Sequence, residues 1–69
     1  MTDRRPNTVY TEAFENCKPD GFVAPVVIRR SIYPNNTVKF HYWGRAQRWL
    51  PISRDRAAMA ISHPDVVAR

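Results

Sequence analysis

Residues 26–43 read VVIRRSIYPNNTVKFHYW, and their apolar side chains recur every second position on both sides of a turn signal. Val26, Ile28 and Ile32 fall on one face of an extended chain, with Val27, Arg29, Ser31 and Tyr33 on the other. Val38, Phe40 and Tyr42 are likewise opposed to Lys39, His41 and Trp43. Between the two runs stands Pro34-Asn35-Asn36. Proline presets the first turn position, and Asn36 tolerates the left-handed conformation that closes a three-residue hairpin loop. Such a loop pairs Tyr33 with Thr37, Ile32 with Val38, Arg30 with Phe40 and Arg29 with His41, so the apolar sets meet on one face.

Outward from this hairpin, Gly44-Arg45 is a candidate two-residue turn with glycine at its first central position, and residues 47–52 are a third strand. Pairing Trp43 with Ala46 then sets His41 opposite Arg48 and Phe40 opposite Trp49, which puts Trp49 in the core. Pro51 removes a backbone donor and suits a strand end or an edge. Ser53 can cap a helix over residues 54–62, with Asp55 in its first turn and Ala57, Ala58 and Ile61 as the stripe facing the sheet. Pro64 ends that helix or starts a final turn through Val66 and Val67.

On the N-terminal side, Lys18-Pro19-Asp20-Gly21 is a turn. Before it, Thr11 can cap a short helix over residues 11–17, although Thr8, Val9 and Tyr10 equally suit an edge strand. Residues 1–8 are polar and carry Pro6 with Arg4 and Arg5, the composition of a flexible arm. The expected fold class is α+β: a single domain over residues 9–69, built as a three-stranded antiparallel meander (26–33, 37–43, 47–52) with short helices (11–17 and 54–62) packed on one face.

Charge is concentrated in the same region. Between Gly21 and Arg54 stand six cations (Arg29, Arg30, Lys39, Arg45, Arg48, Arg54) and no carboxylate, while the flanks together hold five cations and six acids. The formal +5 of the chain therefore originates in this one segment. A concentrated positive field steers and holds an acidic partner. The outward face of the meander is expected to display Arg29, Tyr33, Lys39, His41, Trp43 and Arg48, cations interleaved with rings that can stack on bases or fill an apolar pocket. These six are the candidate partner-binding residues. The bland alternative is a row of solvated charges on a half-buried sheet. Arg30 falls on the apolar face, where it snorkels to water or pairs with Asp55 or Glu15.

Chemistry is poorly provided for. Cys17 is the only cysteine and has no base partner visible in the sequence, so an inert buried thiol is the simpler reading. His41 and His63 lack the further ligands that a metal site needs. Only two glycines are present, too few for a phosphate-binding loop. No enzyme activity, cofactor or metal is expected. One unpaired cysteine and the lack of a charged-then-apolar leader suggest a cytoplasmic setting. The longest apolar run, from Phe22 to Ile28 and interrupted by Pro25, is far short of the roughly 20 residues of a membrane span.

Small size, no enzyme motif and a basic aromatic sheet give this chain the look of the host-takeover proteins of lytic bacteriophages. NTVYTEA (residues 7–13) and VKFHYWGRAQRWL (residues 38–50) resemble the RNA-polymerase-binding transcription regulators of the kind a Xanthomonas phage encodes. The free chain is expected to be a monomer. The resemblance implies that it binds the N-terminal part of the large β′ subunit and the β flap of the bacterial host's RNA polymerase. It further implies block of initiation and antitermination, with nucleic acid at most a secondary contact. Two rival readings come from other classes: a DNA-binding module of the integrase arm-binding type, with the sheet in the major groove, and a phage inhibitor of a bacterial defence nuclease.

Overall fold

The computed structural model describes residues 8–68; of the arm expected over residues 1–8, all but Thr8 lies outside them. The elements in chain order are strands β1 (Tyr10–Cys17), β2 (Val26–Ile32), β3 (Val38–Trp43) and β4 (Trp49–Pro51), helix α1 (Arg54–Ile61) and strand β5 (Val67–Ala68). The strands form one antiparallel sheet in the order β4-β3-β2-β1-β5. The broad α+β class holds, but the sheet has five strands rather than three and carries one helix rather than two.

The central hairpin has the expected register. Ile28 pairs with Tyr42, Arg29 with His41, Arg30 with Phe40 and Ile32 with Val38. Tyr33 donates its N–H to Thr37 O at 2.9 Å, and Asn36 donates to Tyr33 O at 2.9 Å with its own φ at 67°. Asn35 steadies the loop by accepting the Thr37 N–H on Oδ1 at 3.0 Å.

Residues 11–17 are strand, which corrects the helix expected there. A seven-residue helix pays the full cost of nucleation for few hydrogen bonds, whereas the same residues as β1 pair with β2 on one side and β5 on the other. Their own alternation fits that choice. Tyr10, Glu12 and Phe14 face as Ile32, Arg30 and Ile28 do, since they pair with them directly. The cross-strand position of Glu12 also decides the fate of Arg30, whose Nε and Nη2 donate to Glu12 Oε1 at 3.0 and 2.6 Å; neither Asp55 nor Glu15 is its partner. Both side chains of the pair are partly solvated, at 34% and 48% exposure, so the pair contributes less than about 1 kcal/mol. Asn16 then adopts φ 64° and the register shifts between Phe14 and Cys17. That bulge turns Cys17 onto the face of Phe14, although the two are an odd number of residues apart.

The second hairpin departs from expectation. Its loop holds three residues, Arg45 to Gln47, not two: Gly44 donates to Arg48 O at 3.1 Å, Gln47 donates to Gly44 O at 3.1 Å, and Gln47 has φ 58°. Trp43 therefore pairs with Trp49, Tyr42 with Leu50 and His41 with Pro51. Because side chains alternate with period two, this odd-numbered change of register carries Trp49 off the core face.

The core consists of Phe14, Cys17, Ile28, Phe40, Ala57 and Ala60, with Val26, Tyr42, Ile52, Ile61 and Val66 packed around them. Helix α1 lies on the sheet face that carries Phe14, Ile28 and Phe40. It buries Ala57 and Ala60 and leaves Ala58 exposed, so the small residue that accompanies Ala57 is Ala60 and not Ala58. Ser53 occupies the N-cap position with extended backbone but makes no side-chain cap bond. At the other end Ser62 Oγ donates to Met59 O at 2.8 Å. Pro64 falls past the end of the helix, and the chain then reaches the far edge of the sheet, where Phe14 pairs with Ala68 and Glu15 with Val67.

Candidate binding face and the groove beside it

The face of the sheet turned away from α1 is ordered by the strand register. One row across it runs Thr11, Ser31, Lys39; the next runs Ala13, Arg29, His41, Pro51; Trp43 and Trp49 form a third. Among the described residues no helix covers this face. The two indoles meet edge to face with centroids 5.3 Å apart, and the Arg29 guanidinium carbon lies 4.4 Å from the centroid of Trp49. A guanidinium over an indole is worth about 0.5–1 kcal/mol when exposed and more when water is excluded. Arg29 Nε and His41 Nδ1 are both buried with no hydrogen-bond partner, which leaves two polar atoms of neighbouring strands unsatisfied inside the row they share. Lys39 extends the positive surface, its Nζ 5.2 Å from the ring of Tyr33.

Of the six residues singled out from the sequence, Arg29, Lys39, His41 and Trp43 stand on this face by register, and Tyr33 adjoins it through Lys39. Arg48 does not: it is the exposed residue that closes the second loop, its carbonyl accepting the Gly44 N–H. Trp49 takes the place expected of Arg48. It escaped the sequence reading because Gly44 looked like a turn residue, whereas its role is at the strand end. A Cβ on Gly44 would come within 2.7 Å of Leu50 Cδ1.

A second feature lies where the segment before β2 meets the second hairpin. Phe22, Val23, Ala24, Pro25 and Val26 form one wall of an open groove of about 760 Å³, and Tyr42, Trp43, Gly44, Arg45, Ala46 and Leu50 form the other. Phe22 braces the base, edge-on to Tyr42 at 4.9 Å, and the Arg56 guanidinium stands 5.3 Å from the Phe22 ring while donating to the carbonyl of Asp20. Val23 is 82% exposed and Trp43 42%.

Comparison with known proteins adds nothing to this geometry. No protein-family model, curated protein or solved structure matches the chain.

Among the described residues, the remaining polar groups form no second centre. Cys17 is buried, its thiol pushed above its ordinary value by loss of solvent, an effect that a hydrogen bond from the backbone of Ile28 partly offsets; Sγ donates to Phe14 O at 3.4 Å. A raised thiol pKa suppresses the thiolate that nucleophilic chemistry needs. His63 and Asp65 lie 3.6 Å apart on the surface, and among the described residues no group of three or more His, Cys, Asp or Glu is placed to hold a metal ion. No helix of the described residues is long and apolar enough to cross a membrane.

Proposed function

We propose that this chain is a non-enzymatic binding module whose outer sheet face docks on an acidic protein surface, and that it acts as a phage-type transcription regulator on the host's RNA polymerase. The observation that carries the reading is the Arg29–Trp49–Trp43 stack, set beside Lys39 on a face that α1 leaves uncovered. Tryptophan and arginine dominate the energetics of protein interfaces because they bury much surface at small entropic cost. The resemblance of residues 7–13 and 38–50 to polymerase-binding regulators supplies the partner. A sheet that reads DNA needs polar side chains free to reach base edges. Here Arg29 is engaged by an indole and two tryptophans occupy the end of the face, which favours the protein reading over the DNA one.

The test is binding to purified bacterial RNA polymerase and to random-sequence duplex DNA across a salt series, with the parent chain, Trp43→Ala and Lys39→Glu. Polymerase binding should persist at about 0.3 M salt, since buried ring contacts are not screened. Trp43→Ala should weaken it by about tenfold or more, and Lys39→Glu should mainly slow association. Duplex DNA should bind only at micromolar or weaker affinity, losing it steeply with salt. Nanomolar, sequence-selective DNA binding without polymerase association overturns the reading.

A further inference from the structure

The groove between residues 22–26 and the second hairpin has a chemistry of its own. Its described lining is mostly apolar, Arg45 is its charged residue, and no carboxylate is among those residues. Phe22, Val26, Tyr42, Trp43 and Leu50 present rings and aliphatic groups that gain by losing water. Arg45 stands in one wall; Arg56, which is not among the lining residues, holds Phe22 from outside while donating to the Asp20 carbonyl. Small-molecule sites enclose most of their ligand; this groove, between a loop and a hairpin tip, is open to solvent and leaves room for a peptide to lie in it. Trp43 belongs both to the groove lining and to the indole pair of the outer face.

We propose that the groove seats a short peptide segment of a partner protein, one that lays bulky apolar side chains against Phe22, Tyr42 and Leu50 and carries carboxylates flanking them to meet Arg45. Its partner being the same protein that docks on the outer face rests on the function proposed above; the peptide chemistry rests on the groove alone. Charge complementarity decides the class. A hydrophobic groove by itself accepts any greasy segment, whereas one with a guanidinium, that of Arg45, and no acid in its lining discriminates by the sign of the flanking charge.

The experiment uses two dye-labelled heptapeptides with the same Leu-Phe-Leu centre, one flanked on each side by two glutamates and the other by two lysines. Fluorescence anisotropy is read at about 0.15 M salt, where exposed charges further apart than about 8 Å are screened. The acidic peptide should bind at least about tenfold more tightly than the basic one, a difference of about 1.4 kcal/mol. Val23→Glu, at a position 82% exposed and so harmless to folding, should abolish that binding, and Arg45→Glu should reverse the charge preference. Lys39→Glu, on the outer face, should leave it within about twofold. Equal affinity for the two peptides, no binding of either at millimolar concentration, or binding that survives Val23→Glu overturns the proposal. The peptide assay contains no polymerase, so peptide binding here together with no association in the polymerase assay would sink the proposed function and leave the groove standing.

Discussion

The two hairpins have the same loop and very different sequences. Tyr33 to Thr37 and Gly44 to Arg48 each close with a pair of backbone hydrogen bonds around three residues, the third left-handed: Asn36 at φ 67° in one, Gln47 at φ 58° in the other. Asparagine accepts that conformation readily, and proline ahead of it fixes the turn. Gln47 has no such aptitude. What sets the second loop is the pairing of Trp43 with Trp49 and the glycine that lets Leu50 close over the strand end. Local preference dictates the first turn, and the strands dictate the second.

The strongest way to break that comparison is to truncate one ring from each face. Phe40→Ala removes a buried core ring and should cost about 3–5 kcal/mol, enough to unfold a domain of this size. Trp49→Ala removes a half-exposed ring from the outer face and should cost about 1–2 kcal/mol while leaving a cooperative melt. Equal losses, measured by urea denaturation, would put both rings in one core and restore the two-residue loop.

Valine at each left-handed position sharpens the point. Asn36→Val and Gln47→Val should each destabilise by about 1–2 kcal/mol, because a β-branched residue resists positive φ; a Gln47→Val protein that melts with the parent would refute the second loop. Glycine separates the two turns in the opposite sense. Gln47→Gly should gain up to about 1 kcal/mol by relieving the glutamine, and Asn36→Gly should change stability by less than about 0.5 kcal/mol. Matching thermal shifts for the two would mean that Gln47 is no more strained than Asn36.

The smallest effect belongs to the third left-handed residue. Asn16 at φ 64° swings Cys17 into the core, and without that bulge the thiol would sit on the outer face. Burial raises its pKa above 9.0, so between the unfolded and folded values the native chain holds a proton that the unfolded one has lost. Stability from this group is complete below the ordinary thiol value and declines as pH rises through the folded one. Cys17→Ala should remove that alkaline slope from a series of urea melts. An unchanged slope would mean that Cys17 is not the group responsible.

How much the sequence discloses follows from the same division. The β2–β3 register is legible residue by residue because alternation and turn chemistry agree across residues 26–43. Residues 10–17 are ambiguous by local preference and become a strand through partners distant in sequence, Ile28 to Ile32 and Val67 to Ala68. A two-residue strand such as β5 carries too little pattern to be seen at all. On the outer face, Arg29, Lys39, His41 and Trp43 are legible because they ride on the clear hairpin. Trp49 is not, since its side depends on whether a loop without asparagine or glycine at its third position has two residues or three. The groove depends on bringing residues 22–26 against the second hairpin, and no local rule anticipates that.

The sheet ends in stubs. On one side lies β4, three residues long and closed by Pro51, which has no N–H to offer; on the other lies β5, two residues long. Exposed edges are where sheets recruit further strands, and short or proline-bearing ones are how chains prevent it. The terminal strands offer a visitor few backbone groups to grip, but among the described residues β5 pairs only with Phe14 and Glu15, so the stretch of β1 from Tyr10 to Ala13 is where a further strand could add to this sheet.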